Sequence, residues 1–300
     1  MNMVKESEKT TKKKTTGRKK PSSKGTAKVS KKRKNSSKEM TASKPKPTWF
    51  LVTVAILAVF LFVSGFYWLF IRPYAYRWKP CYGLKGYGVC MPAGYKVHGI
   101  DISHYQGTID WNKLTQAREG LFPVRFIFMK ATEGGDFSDR MFAANFDSAA
   151  VHGFVRGAYH FYNPKTDAHR QADFFIKNVR LKAGDLPPVL DIEKKTRDIE
   201  KLQTDLKVWL RRIEDHYGVK PIIYASYKFK QRYLNDSIFN TYPYWIAHYY
   251  VDSVRYQGKW NFWQHTDVGT LPGIEKKVDL NVFNGNADEL KQLLIPIKRK

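Results

Sequence analysis

From about Tyr95 to the C-terminus, short runs of apolar residues alternate with longer segments of helical period. The apolar runs predict five strands that are each followed by a helix, and then three strands joined only by loops. The longest helix is predicted over 197–217 and ends before Gly218, as a glycine after a helix C-terminus suggests. A last helix is predicted over 287–294. The predicted strands cover residues 96–103, 124–133, 155–162, 189–193, 221–226, 244–249, 261–266 and 278–283.

Near-continuous apolar strands separated by helices are typical of a parallel sheet whose outer face is covered. Eight such strands in about 200 residues predict an α/β barrel related to the eightfold β/α type, with its last helices missing. In barrels of this type the active site lies at the C-terminal ends of the strands. Residues near those ends are therefore the candidates for chemistry.

The stretch LPPVLDIE, residues 186–193, carries two acids on one short strand. Side chains alternate faces along a strand, so Asp191 and Glu193 point the same way, with Cα atoms about 6.6 Å apart. Mutual repulsion and desolvation raise the pKa of at least one of them, which suits a general acid. The plainer interpretation is a strand end whose acids face water.

Further polar and aromatic residues are predicted at the same mouth. Asp101 ends the first strand and Asp279 lies on the eighth, so four acids from three strands converge. Such a mouth, ringed by aromatic residues, has the composition of a carbohydrate cleft. Its predicted substrate-binding residues are Lys130, Tyr159, Tyr162, Tyr224, Trp245 and Trp263. Alternatively, Trp245 and Trp263 fill the barrel and Lys130 only neutralises a neighbouring acid.

Residues 49–71 are uncharged and, as a helix, about 34 Å long, enough to cross a ~30 Å hydrocarbon core. The run is longer than a signal-peptide core, and no small-residue cleavage site follows it. We therefore expect an uncleaved transmembrane helix, although a cleaved signal peptide is the alternative. Lys and Arg are denser before this span than after it. This predicts a cytoplasmic N-terminus and a C-terminal body on the periplasmic or extracytoplasmic side.

The net charge of +25 is unevenly distributed, since residues 1–47 hold 17 Lys and Arg against 3 Glu. Residues 1–48 have almost no large apolar side chains, so we expect a disordered basic cytoplasmic tail. The positive charge of the tail would interact with anionic lipids and keep the N-terminus on the cytoplasmic side. Nucleic-acid binding is not expected, because the densest charge lies across the membrane from the folded body.

The two cysteines, Cys81 and Cys90, fall in a predicted linker over residues 72–95. In an oxidising compartment they could close a small disulfide loop, and free thiols are the alternative. Their spacing matches no metal site, and we expect no metal and no cofactor.

The segments HGIDISHYQGTIDW, PPVLDIE and VDLNVF, together with those between them, resemble the lysozymes of glycoside hydrolase family 25 over about residues 96–295. The resemblance implies an irregular TIM-like barrel, (β/α)5(β)3, that cleaves the β-1,4 bond between N-acetylmuramic acid and N-acetylglucosamine in peptidoglycan glycan strands. It implies that Glu193 is the proton donor and that Asp191, Asp101 and Asp279 are the other acids of the site. Lys130 and Tyr224 fall where the family lines its cleft.

The second catalytic role stays open at this point. A direct nucleophile, a water-activating base and attack by the 2-acetamido group of the substrate are all compatible with the spacing. We favour the substrate-assisted version, with Asp191 orienting the acetamido group. The alternative function is a membrane-tethered module that binds peptidoglycan without cutting it, for which the loss of one acid would be the sign. An amidase or peptidase would need a metal or nucleophile constellation that the sequence does not display.

Overall fold

The computed structural model describes residues 47–72 and 80–297. The expected disordered tail lies outside the described residues, apart from its last two positions, and so does the part of the predicted linker at residues 73–79. The described chain contains an apolar helix and a barrel, and the boundary between two compact units falls after Phe62, within the helix.

The apolar helix α1 covers Thr48–Phe66 and continues into a π-helical segment, Tyr67–Ile71. No side chain of α1 is buried, and residues 48–71 are long and apolar enough to cross a membrane. A helix with apolar side chains on every face suits hydrocarbon better than water. This is a candidate span by length and composition.

A small hairpin precedes the barrel, with β1 (Lys85–Gly86) antiparallel to β2 (Val89–Cys90). A disulfide joins Cys81 to Cys90 at its base, with the two Cα atoms 5.4 Å apart. The hydroxyl of Tyr87, at the hairpin turn, donates to the carbonyl oxygen of Phe122 at 2.7 Å.

Eight strands close into a barrel, as the apolar runs predict, and a ninth short strand, β5 (Phe137–Ser138), pairs antiparallel with the end of β4. Each barrel strand pairs with its neighbour in chain order, and the last pairs with the first. The barrel strands are β3 (Val97–Ile102), β4 (Val124–Glu133), β6 (Val155–Phe161), β7 (Val189–Asp191), β8 (Ile222–Ser226), β9 (Tyr244–Ala247), β10 (Phe262–Gly269) and β11 (Val278–Phe283).

The sheet is not wholly parallel, which corrects the sequence-based expectation. The first seven barrel strands, from β3 to β10 without β5, run parallel around the barrel, but β11 is antiparallel to both β10 and β3. The chain between β10 and β11 is too short for a parallel crossover, which needs a dozen or more residues, so it reverses direction. Consequently the beginning of β11, not its end, lies at the mouth where the other strands finish.

Helices cover the outer face of the first five strands. The longest, α5, begins after Asp198, whose side chain accepts the Lys201 amide hydrogen, and ends at Gly218 in the left-handed conformation (φ 70°). Its buried apolar stripe packs on the barrel and includes Trp209. The helices are α2 (Trp111–Leu114), α3 (Phe142–Val151), α4 (Ala168–Asn178), α5 (Ile199–Tyr217), α6 (Tyr227–Tyr233) and α7 (Ala287–Leu293).

The barrel interior is filled by aromatic rings from alternate strand positions. Phe128 stacks on Trp245 with ring centroids 4.4 Å apart, and Phe126 packs edge-on against Phe262 at 5.0 Å. Gly99 faces the same interior, where the Phe126 ring occupies the space that a Cβ atom would need. This aromatic layer closes the barrel from below and forms the base of the mouth.

Candidate active site

The two acids of the LPPVLDIE stretch lie on the inner side of β7, as strand alternation requires. Val189 packs in the barrel interior, whereas Leu190 and Ile192 pack outward among the helices. Asp191 is buried, and Glu193, just beyond the strand, is exposed. The Ile192 amide donates to the Tyr224 carbonyl oxygen at 3.0 Å, so the backbone stays ordered between the two acids.

Asp101 and Asp279 face each other across the antiparallel pair β3–β11. Two amides fix the Asp101 carboxylate, because Asn281 Nδ2 and Gln264 Nε2 both donate to its Oδ2, at 2.7 and 2.8 Å. Trp245 Nε1 donates in turn to Asn281 Oδ1 at 2.7 Å. The Asp101 carboxylate is therefore held by a buried network that begins in the aromatic layer.

Tyr224 connects this network to the acid on β7. Its hydroxyl lies 2.7 Å from Gln264 Oε1 and 3.3 Å from Glu193 Oε1. The hydroxyl of Tyr249 also donates to Gln264 Oε1, at 2.7 Å. Since the amide oxygen of Gln264 accepts two hydrogen bonds, its nitrogen must face Asp101. The side-chain orientation of Gln264 is thus determined by its partners.

All four acids line one cleft of about 430 Å³ at the carboxyl mouth of the barrel. The cleft also contains Lys130, Tyr159, Tyr224 and Trp245, as the sequence predicts. Trp245 is only 2% exposed, so it fills the barrel while its upper edge forms the cleft base. Cleft residues that the sequence analysis missed include Tyr105, Gln106, Phe161, Tyr249, Asp267 and Lys277.

Tyr162 and Trp263 do not reach the cleft, and their predicted place there is corrected. Both are fully buried outside the barrel wall, where Trp263 Nε1 donates to the His248 carbonyl oxygen at 2.8 Å. The reason is strand alternation, since Phe161 and Gln264 point inward and their immediate neighbours must point outward. The same rule, applied from Asp279, would have identified Asn281.

Lys130 lies at the side of the cleft and pairs with Glu133, with Nζ 2.6 Å from Oε2. Its Nζ also lies 4.8 Å from the centre of the Phe161 ring. Its positive charge lowers the pKa of both Asp191 and Glu193, although in neither acid is it the largest influence. Lys130 therefore partly neutralises the acids and also presents its ammonium group to the cleft.

Burial dominates the electrostatics of the acids. It raises the pKa of Asp191 well above the ordinary value, and the charges of Glu193 and Asp101 raise it further. The pKa of Glu193 is raised by burial and lowered by the Tyr224 hydrogen bond and by Lys194 and Lys130. Burial also raises the pKa of Asp279, reinforced by the charge of Asp101.

Asp191 also has an unused hydrogen-bonding atom. Its Oδ1 is buried and has no hydrogen-bond partner among residues 47–72 and 80–297. A buried carboxylate oxygen without a donor is costly, so it stays protonated or receives a donor from a bound molecule. Within the same described ranges, no group of three or more His, Cys, Asp and Glu side chains is arranged to hold a metal ion.

A closed β/α barrel with five carboxyl groups and several aromatic side chains at its carboxyl mouth is an arrangement typical of glycoside hydrolases. The chain belongs to glycosyl hydrolase family 25, whose profile matches residues 100–274. It is 38% identical over 231 residues to the uncharacterized protein YegX of Escherichia coli K12, covering 76% of this chain and 83% of that one. It is 32% identical over 213 residues to lysozyme M1 of Streptomyces globisporus, covering 66% and 71%.

The solved structure of a family 25 glycosyl hydrolase from Bacillus anthracis superposes with a TM-score of 0.60 at 36% identity. The match covers 66% of this chain and 93% of that one. The predicted barrel fold and the predicted glycoside hydrolase class are thereby confirmed.

Proposed function

We propose that this protein is a membrane-anchored muramidase that cleaves the β-1,4 bond between N-acetylmuramic acid and N-acetylglucosamine in peptidoglycan. Membership of family 25 and the likeness to a lysozyme support the substrate class. The observation that carries the proposal is the unpartnered Oδ1 of Asp191, which lies beside Glu193 in a cleft lined by five acids. That oxygen is suited to accept the N–H of a 2-acetamido group.

Glu193 is the proposed general acid. It is the most exposed of the four carboxyl groups and can approach the glycosidic oxygen of a bound glycan. Although part of its side chain is exposed, desolvation within the cleft raises its pKa, which favours the protonated form that leaving-group protonation needs. The Tyr224 hydroxyl near Oε1 restrains its orientation.

Asp191 is the proposed orienting group for substrate-assisted attack. In the free protein its strongly raised pKa favours the neutral acid. An acetamido N–H donated to Oδ1 would stabilise the charged form and lower that pKa. Substrate binding would thus establish the ionised state that the step requires.

In the proposed step the acetamido carbonyl oxygen bonds to the anomeric carbon while the bond to the leaving oxygen breaks. Glu193 gives its proton to that oxygen, and the anomeric centre becomes part of a cyclic oxazolinium ion. Glu193, now ionised, takes a proton from water, whose oxygen attacks the same carbon and opens the ring. The acid is restored, and the configuration at the anomeric carbon is retained.

Asp101 and Asp279 are proposed to bind and shape the sugar at the anomeric side. The amides of Gln264 and Asn281 stabilise negative charge on Asp101, so Asp279 is the member of the pair that holds a proton. A fixed carboxylate below the ring would stabilise developing positive charge.

The experiment is digestion of purified peptidoglycan by the full-length protein in detergent, followed by reduction and analysis of the new reducing ends. We expect the new reducing ends to carry muramic acid, which is detected in its reduced form. Reduced glucosamine, or released peptides with intact glycan, would contradict the assignment. Glu193→Gln provides the inactive control.

We further propose a single pass over residues 49–71 with a cytoplasmic N-terminus, as the Lys and Arg distribution favours. Reporter fusions at the two termini should then report opposite compartments. A mature N-terminus mapped beyond residue 71 would show that the helix is a cleaved signal instead.

A further inference from the structure

A second groove, of about 720 Å³, opens on the same rim as the cleft. It is formed by the loops that follow β6 and β7, together with the end of α6. The two cavities are contiguous along the chain, because Phe161 and Glu193 line the cleft and Asn163 and Lys194 line the groove. We name it the basic groove; it is lined by Asn163, Pro164, Lys165, residues 194–197, Ile199 and Tyr233.

The basic groove carries four cationic side chains and no acidic one. Lys165, Lys194, Lys195 and Arg197 are all exposed. None of the four forms an ion pair with a carboxylate in the part of the chain that the structure describes. By contrast, the neighbouring Lys201, on α5, is paired with Asp205. The groove therefore concentrates positive charge that the protein itself leaves uncompensated.

Lys194 connects the basic groove to the catalytic cleft. Its Nζ lies 4.6 Å from the centre of the Phe161 ring, which lines the cleft. Its charge also lowers the pKa of Glu193, the adjacent residue. An anion bound at Lys194 would offset that effect and favour the protonated acid. Occupancy of the groove and activity in the cleft are thus electrostatically coupled.

The other walls of the basic groove are apolar. Pro164, Ile199 and the Tyr233 ring flank the charges, and Lys195 Nζ lies 5.3 Å from the centre of that ring. A ligand that fits both features has a short aliphatic backbone bearing carboxylates. In peptidoglycan, the lactyl group of muramic acid carries a peptide of this chemistry, attached to a sugar at the cleaved bond.

We propose that the basic groove binds the carboxylates of the peptide stem while the glycan lies in the cleft. This inference rests on the proposed muramidase function. It makes the enzyme selective for glycan strands whose peptides are present and carry free carboxylates. Because the groove follows Glu193 directly, stem binding also helps to position the glycan against the acid.

The test compares two substrates with three proteins. One substrate is a soluble glycan strand with intact stem peptides, and the other is the same strand with its peptide carboxylates converted to carboxamides. The proteins are full-length wild type, the double variant Lys195→Gln/Arg197→Gln, and the charge-matched control Lys177→Gln/Arg180→Gln. The control pair is exposed on and just after α4, outside both cavities.

We expect the double variant to lose about 5-fold or more in kcat/KM on the carboxylate strand, as two exposed charge contacts suggest. On the carboxamide strand it should match wild type, and the control should match wild type on both. An equal loss on both strands, or no loss on either, would overturn the proposal.

A binding titration keeps this inference separate from the proposed function. Glu193→Gln protein, with and without the groove substitutions, is titrated with both strands. If wild type cuts neither strand, the muramidase proposal fails, but a groove-dependent preference for the carboxylate strand would still support stem binding. Inorganic phosphate and a free stem peptide are then compared as competitors. Stronger competition by phosphate would assign the groove to a phosphate-bearing polymer and overturn the stem proposal.

Discussion

Asp101 and Asp279 are direct partners in the antiparallel pair β3–β11, and their carboxyl groups interact through a hydrogen bond. Two carboxylates cannot share a hydrogen bond unless one of them holds a proton. Asp101 Oδ2 accepts from two amides, so Asp101 is the charged partner and Asp279 the neutral one. The pair is therefore a site where the folded protein retains a proton that the unfolded chain would release.

The first prediction concerns this proton and stability. The folded-state pKa of Asp279 lies above its ordinary value of 3.8, so at pH values between the two the folded state binds more protons than the unfolded state. Stability must then fall as pH rises through that window. Asp279→Asn keeps a donor for Asp101 without a titrating group. It should raise the free energy of unfolding near pH 8 by about 1 kcal/mol or more.

The measurement is urea unfolding of wild type and Asp279→Asn at about pH 5 and about pH 8. The variant should show a smaller decrease in stability between the two, while losing activity. The exposed Asp252→Asn serves as the control and should behave as wild type. A variant that is less stable than wild type near pH 8 would contradict the retained proton.

The second prediction separates binding from turnover at Glu193. Glu193→Gln removes the transferable proton but preserves size, so glycan binding should persist while kcat falls by roughly 10²–10⁴-fold. Glycan affinity by titration and kcat by reducing-end release are measured together, with the exposed Glu119→Gln as the control. Near-full activity of Glu193→Gln combined with complete loss in Asp279→Asn would move the acid to the eighth barrel strand.

The third prediction concerns the hairpin before the barrel. Replacing Cys81 and Cys90 by serine opens a loop that spans nine positions and should cost about 2–4 kcal/mol locally. The bond from Tyr87 to the Phe122 carbonyl oxygen still attaches the hairpin, and the barrel core is formed by other residues. Hydrogen exchange should therefore accelerate in residues 80–95 and stay unchanged in the barrel strands. Two free thiols found by alkylation in protein from its native compartment would contradict the disulfide there.

Most of the barrel could be predicted because its strands are apolar on both faces. Its helices also show clear helical periodicity, and residues that end helices, such as Gly218, mark their boundaries. β4 and β11 begin and end where the apolar pattern does. Strand direction could not be predicted in this way, because an apolar run is the same in both directions. The reversal of β11 is set by its short connection, and this reversal brings Asp279, near the start of the strand, to the mouth.

The site was predictable where the residue type alone restricts its role, as for acids that interrupt an apolar strand. The roles of aromatic residues were less predictable, because aromatic side chains fill cores and line clefts equally well. Tyr159 lies in β6 and Tyr162 directly follows its last residue, and the alternation of side chains decides which of the two faces the cleft. Asn281 and Tyr249 were missed because an amide and a phenol acquire importance only through their partners, Asp101 and Gln264.

The fourth prediction concerns the negative charge that Asp191 is proposed to acquire beside Glu193 when substrate binds. Asp191→Asn should reduce kcat/KM at least about 100-fold, because the acetamido group loses its charged acceptor. In the substrate complex, where Asp191 is proposed to be ionised, the remaining kcat should have its alkaline limb at lower pH than wild type. Without that neighbouring negative charge the pKa of Glu193 in the complex falls, so Glu193 loses its proton earlier as pH rises. An unchanged limb would show that the two carboxyl groups titrate independently.

The fifth prediction concerns a variant that should shift the alkaline limb of the pH–activity profile in the opposite direction. The single hydroxyl hydrogen of Tyr224 is shared between Gln264 Oε1, at 2.7 Å, and Glu193 Oε1, at 3.3 Å, and its interaction with Glu193 lowers the pKa of that acid. Tyr224→Phe removes that donor, so the pKa of Glu193 should rise and the alkaline limb should move to higher pH. The same hydroxyl also contacts Gln264, so the loss of a buried hydrogen bond should cost about 1 kcal/mol of stability. Profiles of kcat against pH for Tyr224→Phe, Asp191→Asn and wild type, collected on one soluble glycan, should place wild type between the two variants.

Tyr249→Phe is the matched control, because its hydroxyl reaches Gln264 but is not hydrogen-bonded to Glu193. It should lower stability by a similar amount and shift the limb less than Tyr224→Phe does. If both tyrosine variants shifted the limb equally, the effect would come from Gln264, and direct contact between Tyr224 and Glu193 would not control the acid.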